Sequence, residues 1–244
     1  VACIMWGYLL NSGDISSTEM VTWFFIQSRN FNLALTQEIA LDKRASLNGA
    51  RVFELGEIAR QNNDYKTATK AFNYIIQQGE SNRLYHQAEM ELLRTEFDEI
   101  TTQRTSTSTE IKETLAHYES AIKRLGKSNK TLNLLKQQAH IEAYYNQNAA
   151  KAKVILEDAL TLERLTSIQK AEIKMALGDI HVLMEDIWSA SLYYMQIDKE
   201  FKNETIGHEA RFKNARIFYY DGEFNYAQSQ LDVLKQGTTR LIAN

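Results

Sequence analysis

Apolar residues along much of the chain recur at spacings of three and four, which place side chains on one face of a helix. The clearest example runs from Gly49 to Ile76, where the polar residues 61–64 separate two short periodic segments. Asn and Asp in such a cluster have poor helix propensity and favour a turn. The stretch therefore predicts two short antiparallel helices. A hairpin of this kind cannot bury both sides of its apolar stripes by itself, so it needs neighbours.

The two predicted helices of this hairpin combine small residues with large aromatic ones. Gly56 and Ala68 would let the two backbones approach closely, while Tyr65 and Phe72 would fill the remaining space. The full pattern is Val52-x2-Leu55-Gly56-x2-Ala59 followed by Asp64-Tyr65-x2-Ala68-x3-Phe72-x2-Ile75. It resembles the tetratricopeptide repeat (TPR), a helix–turn–helix unit. Two features depart from that family: Val52 replaces the usual aromatic residue, and the proline that usually follows the second helix is missing.

The position of Ala68 recurs along the chain at spacings of 34 to 46 residues. The anchors that we assign to it are Ala34, Ala68, Thr114, Ala152, Ala190 and Ala227, of which Thr114 and Ala152 are the weaker matches. The resemblance implies an all-α fold, a right-handed α-solenoid of about six TPR-like repeats over residues 14–236. We expect residues 1–13 to end a preceding repeat or to form a capping helix. Residues 237–244 are expected to start a further helix, so that the chain would be part of a longer protein.

Local signals predict where several helices begin and end. The Ser- and Thr-rich residues 101–109 favour a loop. Ser16, Thr107 and Thr166 are each followed three residues later by Glu or Gln, which is the capping-box pattern that starts a helix. Gly207 and Gly237 are predicted to lie between helices.

Composition and motifs exclude several function classes. The net charge of −3 argues against a nucleic-acid interface of the usual basic kind. The apolar residues 1–10 are too few to span a membrane, and the single cysteine, Cys3, allows no internal disulfide. The five histidines lie far apart, and no zinc, phosphate-loop or nucleophile-elbow motif is present. We therefore predict no catalytic residue, no metal and no cofactor.

The resemblance implies that the first helix of each repeat lines a groove that binds a partner. The residues that it places at groove positions are Trp23, Phe53, Arg60, Tyr144, Tyr145, Phe212, Arg216, Tyr219 and Tyr220. Tyrosine and arginine are enriched at binding hot spots because they combine a large contact area with polar groups. The alternative interpretation is that several of these residues, above all Phe53 and Phe212, pack between helices.

The leading hypothesis is a non-catalytic scaffold that binds a peptide or protein partner in its groove. One alternative is a structural or self-associating module of a larger envelope or regulatory complex, which would use the outer helix faces. Another alternative is a regulatory domain that senses a peptide. Resemblance to long bacterial TPR proteins favours a bacterial source and leaves cytoplasm and envelope both open.

Overall fold

The structure is a computed structural model that describes residues 15–103 and 106–242. In these two ranges the regular secondary structure is entirely helical, in twelve helices. The expected preceding repeat at residues 1–13 lies outside the described residues. The helices are α1 (Ile15–Gln27), α2 (Phe31–Ala45), α3 (Ala50–Gln61), α4 (Tyr65–Ile76), α5 (Tyr85–Thr102), α6 (Ser108–Leu125), α7 (Leu132–Tyr144), α8 (Ala149–Leu160), α9 (Ser167–Leu183), α10 (Ile187–Glu200), α11 (Thr205–Tyr220) and α12 (Phe224–Ile242).

The helices fall into two compact units that divide between Ser106 and Thr107. Unit 1 contains α1 to α5, and unit 2 contains α6 to α12. The predicted third repeat, anchored at Thr114, thus has its first helix in unit 1 and its second helix in unit 2.

Within each unit, helices pack mainly on the helices next to them in sequence. In unit 1, α1 packs on α2 and α3 packs on α4; in unit 2, the pairs are α7 with α8, α9 with α10, and α11 with α12. Each hairpin also packs on the following hairpin of its unit. In unit 2 the first helices α7, α9 and α11 contact one another in that order. Packing of each hairpin on the next one along the chain is the organisation of a helical repeat protein.

The same turn joins the two helices of five hairpins. Its central residue has a left-handed backbone, with φ between 55° and 63° at the four non-glycine positions. These residues are Arg29, Asn63, Gln147, Glu185 and Gly222, and each precedes its repeat anchor by five positions. In the hairpin of α3 and α4, the amide of Asp64 donates to the carbonyl of Ala59 at 2.9 Å, as in a Schellman motif. The second helix then begins one residue later.

The repeat anchors lie in the cores of the two units. Five of them are the fourth residue of a second helix and are fully buried or nearly so: Ala34, Ala68, Ala152, Ala190 and Ala227. Thr114 lies further into α6 and is also buried. A methyl group at this position lets the second helix approach the first without a cavity.

Two glycines of the first helices lie against aromatic rings of the second helices. A Cβ atom on Gly56 would lie 2.9 Å from the ring of Phe72, and one on Gly178 would lie 2.5 Å from the ring of Tyr194. The rings thus occupy the space of the missing side chains. This confirms the predicted close approach at Gly56 and the predicted filling role of Phe72.

Two of the three predicted capping boxes are present; the third is not, because α1 already includes Ile15, so Ser16 lies inside the helix and is not its N-cap. Thr107 caps α6, where its Oγ1 accepts from the Glu110 amide at 3.3 Å and its amide donates to the Glu110 carboxylate at 2.7 Å. Thr166 caps α9 in the same way with Gln169. These exchanges satisfy amides that have no partner inside the helix.

Three other local predictions differ from the structure. The predicted loop at 101–109 is shorter, because α5 continues to its end at Thr102 and α6 begins at Ser108. Gly207 lies in the first turn of α11 instead of between helices, where a Cβ would collide with the Phe201 carbonyl group. The close approach of that carbonyl accounts for the glycine.

The third difference concerns the end of the chain. The sequence predicts a break at Gly237 and a new helix over 237–244, whereas α12 continues through Gly237 to Ile242. A single glycine inside a helix costs only about 1 kcal/mol relative to alanine, which a helix of this length tolerates.

Candidate functional site

The ends of three first helices in unit 2 carry a row of aromatic and aliphatic side chains. Relative to the repeat anchors, these residues hold the same two positions in α7, α9 and α11. They are Tyr144 and Tyr145, Val182 and Leu183, and Tyr219 and Tyr220. Because α7, α9 and α11 are neighbours in that order, the three pairs form one row. We name these six residues the end strip.

Most of the end strip is exposed to solvent. Tyr219 is 54% exposed, Tyr220 is 79% exposed and Leu183 is 46% exposed. Only Tyr145 is half-buried. Several large apolar side chains exposed side by side are typical of an interaction surface.

A partly buried polar cluster lies beside the end strip and links α9 to α11. Asp179 of α9 accepts a hydrogen bond from the Tyr194 hydroxyl at 2.7 Å, and its carboxylate lies 2.7 Å from the Lys213 ammonium group of α11. Burial and the nearby Asp179 carboxylate raise the pKa of the Tyr194 hydroxyl. The cluster therefore joins α9 and α11 through the Lys213–Asp179 ion pair.

Tyr144 lies against the same cluster. Its ring centroid is 4.5 Å from that of His140, one turn earlier on α7. Burial raises the pKa of the Tyr144 hydroxyl, and the Asp179 charge raises it further, while Arg216 opposes both. Burial also lowers the pKa of His140, although Asp179 partly opposes that effect. At neutral pH this part of the surface thus presents a neutral phenol and an uncharged imidazole for contact.

The predicted groove residues of α11 lie on one face of that helix. Phe212, Arg216, Tyr219 and Tyr220 are separated by four, three and one positions, and all four are exposed. Arg216 is the cation of this face, close enough to Tyr144 to affect its pKa. The structure therefore brings Tyr144, Arg216, Tyr219 and Tyr220 to one surface of unit 2.

The predicted groove residues of unit 1 have different surroundings. Trp23 is exposed on α1. Phe53 packs edge-on against Phe72, with ring centroids 5.5 Å apart. The Arg60 side chain is only 11% exposed, and its guanidinium lies 2.7 Å from the carboxylate of Asp98 on α5. Phe53 and Arg60 are thus engaged in contacts within unit 1.

Sequence reasoning did not select Val182, Leu183 and Asp179. Val182 and Leu183 continue the apolar pattern of α9, and apolar residues at helical spacing are usually buried. Their register relative to Ala190 is the signal that could have identified them, because Tyr144 and Tyr219 hold the same position relative to Ala152 and Ala227. Asp179 carries no such signal.

The described part of the chain offers no support for a metal site or a membrane span. No group of three His, Cys, Asp or Glu side chains there could hold a metal ion. Among the same residues, no helix is both long enough and apolar enough to cross a membrane.

Among the solved structures with similar folds are two from different organisms. A crystal structure of a Podosopora anserina protein with nearly identical TPR-like repeats is 13% identical in sequence, with a TM-score of 0.63, and the match covers 80% of this chain and 96% of that one. BtubC (BKLC) from P. vanneervenii is 15% identical, with a TM-score of 0.65, and the match covers 91% of this chain and 93% of that one. This chain has a TPR-like helical repeat fold. The likeness confirms the predicted resemblance and the predicted all-α fold.

The TPR-like fold is generally a scaffold for interactions between proteins. At these sequence identities the likeness concerns the fold. No protein-family model matches the sequence, and no curated protein matches it.

Proposed function

We propose that this chain is a non-catalytic scaffold that binds a peptide or protein segment on the end strip of unit 2. The observation that carries the proposal is the alignment of three pairs of aromatic or aliphatic side chains, five of the six exposed, at the ends of three neighbouring helices. The row exists because the same two positions recur in three successive repeats, and its exposed side chains contribute little to the core. It is available to a partner without rearrangement.

The residue types of the end strip support binding of a protein segment. Tyrosine provides a large contact area at a low cost in side-chain entropy, and its hydroxyl can bond to a partner backbone. Because the strip lies on packed helices, binding requires little ordering of the receptor, which reduces the free-energy cost of association. Arg216 adds a positive charge beside the strip, where an acidic group of the bound segment would contact it.

Site-specific photocrosslinking tests this proposal. A benzophenone side chain introduced at Leu183 or Tyr220 should form a covalent adduct with the partner when the chain is expressed in its native host. The same group at Val154 provides the control, because Val154 is 55% exposed, between Leu183 and Tyr220, but lies on α8, outside the end strip. Adducts of the same proteins at equal yield from all three positions would contradict the proposal, as would the absence of any adduct at Leu183 and Tyr220.

Self-association is a second candidate function, favoured by one observation on α12. Leu231 is 40% exposed, although the equivalent residues Phe72, Leu156 and Tyr194 of three other second helices are buried. A second copy that packs on α12 would cover Leu231. Sedimentation at several concentrations tests this: association that Leu231→Glu abolishes supports it, and a concentration-independent monomer rejects it.

A further inference from the structure

A groove that contains none of the end-strip residues lies between α10 and α12. It consists of two adjoining cavities of about 550 Å³ and 360 Å³, which share Leu192, Met195 and Tyr226 in their walls. Both α10 and α12 pack on α11, and among the described residues no Cα atom of α10 comes within 8 Å of one on α12. The groove is therefore the space between two second helices, with α11 as its floor.

One wall of the groove is a row of exposed apolar side chains on α10. Trp188, Leu192 and Met195 are spaced by four and three residues, which places them on one face of the helix. Trp188 is 77% exposed and Leu192 is 59% exposed. The Trp188 ring lies edge-on to Phe218 of α11, with centroids 6.0 Å apart. Tyr226 provides the opposite wall.

The length of the groove matches a short helix. From Trp188 to Lys199, α10 rises by about 16 Å, at 1.5 Å per residue, which is about three helical turns. An occupying helix with apolar residues at spacings of four and three would set them against the row on α10. Helix-in-groove binding of this kind buries the apolar face of an amphipathic segment.

The two ends of the groove carry opposite charges. Asp221 and Glu223 line the cavity that contains Trp188, and Lys199 lines the other cavity. Among the described residues, none of these three side chains forms an ion pair. Arg211 also lines the second cavity, but its guanidinium lies 2.6 Å from the carboxylate of Asp198 and is thus compensated.

The floor of the groove contains an incompletely satisfied polar side chain. Asn214 is almost fully buried, and its Oδ1 has no hydrogen-bond partner in the part of the chain that the structure describes. Its Nδ2 reaches the Tyr226 hydroxyl only at 3.5 Å. A buried acceptor without a donor costs about 1 to 3 kcal/mol, so a donor that reached Oδ1 would gain free energy there.

We propose that the groove between α10 and α12 binds an amphipathic helix of another protein. That helix carries a row of large apolar side chains, a Lys or Arg at the end that meets Asp221 and Glu223, and an Asp or Glu at the end that meets Lys199. Charge complementarity at both ends fixes the direction in which the helix lies. The proposal is independent of the end strip, because no residue belongs to both surfaces.

Selection from a library of helical peptides tests the proposal. The probes are displayed alanine-based peptides of about 14 residues, or four turns, with variable apolar residues at spacings of four and three. Both terminal positions vary among Lys, Arg, Asp, Glu and Gln. Selection uses the wild-type chain, with counter-selection against Leu192→Glu, whose exposed position should leave folding intact. Val154→Glu is the matched control, since it places the same charge on an exposed position of α8.

The proposal predicts peptides with a basic residue at one end and an acidic residue at the other. Their affinity should fall about tenfold or more on Leu192→Glu, and it should not change on Val154→Glu or Tyr220→Ser. The double variant Asp221→Lys and Glu223→Lys, with helix content verified by circular dichroism, should select an acidic residue at the end that was basic.

Three results would overturn the proposal. The first is that no peptide distinguishes the wild type from Leu192→Glu. The second is that selected peptides show no charge preference, or the opposite one. The third is a wild-type dimer in sedimentation that Leu192→Glu dissociates, since the occupant would then be a second copy of this chain.

Discussion

A single residue with a left-handed backbone ends the first helix of each of the five hairpins described above. Four of the five equivalent turns place a residue with a side chain in this conformation, and the fifth uses Gly222, with φ of 89°. For residues with a Cβ atom, the left-handed region costs about 1 to 2 kcal/mol. The turns tolerate this cost because the Schellman hydrogen bonds satisfy carbonyls at the C-terminus of the first helix, which offsets it.

We predict that Gly222→Ala lowers the free energy of unfolding by about 1 kcal/mol. The space around Gly222 is open, so a Cβ atom there meets nothing within 4 Å and the effect is one of backbone strain alone. Glu185→Gly at the same turn position is the matched control. At Glu185 the relief of backbone strain and the larger entropy of the unfolded chain oppose each other. The free energy of unfolding should therefore change by no more than about 0.5 kcal/mol. Urea denaturation measures both, and equal losses would contradict the explanation.

Glu38 gives a prediction about pH. Its side chain is buried on α2, with Oε2 3.2 Å from Nε of Arg51. Burial raises the pKa of Glu38 above its ordinary value of 4.5, and Arg51 opposes the rise without cancelling it. The folded state thus binds this proton more tightly than the unfolded state does. The stabilisation from that proton is fully present below pH 4.5 and is lost as pH rises through the raised pKa.

Glu38→Gln should therefore raise the free energy of unfolding at pH 7, and the gain should shrink as pH falls towards 4. Denaturation curves at several pH values measure this difference. Glu19→Gln serves as the control, because Glu19 is the exposed partner of Arg51 and an exposed ion pair contributes little. A gain that is constant with pH would contradict the assignment of the effect to burial of the charge.

At the level of helices and turns, the beginning of each second helix repeats a common design with local variation. Asp64 caps α4 by accepting from the amide of Thr67 at 3.1 Å and from its hydroxyl at 2.7 Å. Asn148 caps α8 in the same way through the amide of Lys151. Asn30 holds the equivalent position before α2 but makes no side-chain cap; its side-chain Nδ2 donates instead to the Ser28 hydroxyl at 3.1 Å.

We predict that Asp64→Ala lowers the free energy of unfolding by about 1 kcal/mol, the usual contribution of an N-cap. Asn30→Ala should have a smaller effect, because no capping bond is lost there. Thermal unfolding followed by circular dichroism compares the two variants. If Asn30→Ala destabilises the chain as much as Asp64→Ala does, the capping bond is not the source of the difference.

At the level of the whole molecule, the hairpins could be predicted from sequence because each depends on a local pattern. The five anchor alanines each follow a polar turn at the same distance in sequence, and this pattern can be seen without any knowledge of distant contacts. The environment of Arg60 could not be predicted, since its partner Asp98 is 38 residues away and lies beside it only because α5 packs near α3. Equally, exposure of Val182 and Leu183 depends on how α9 packs.

The two surfaces proposed for unit 2 differ in how much of each the sequence revealed. The aromatic part of the end strip was predicted from groove positions, because tyrosines stand out in a first helix. The groove between α10 and α12 was not, because Trp188, Leu192 and Met195 have the spacing of a buried face. Its exposure follows from the separation of α10 and α12 by α11.

The affinity of the crosslinked partner for an end-strip variant tests the central claim most directly. The variant combines Tyr144→Ser, Leu183→Ser, Tyr219→Ser and Tyr220→Ser, and calorimetry measures its dissociation constant against that of the wild type. We expect a loss of affinity of about 100-fold or more, as for removal of several hot-spot residues. The free energy of unfolding should change by less than about 1 kcal/mol, because these side chains are exposed. Unchanged affinity in a folded variant would contradict the account.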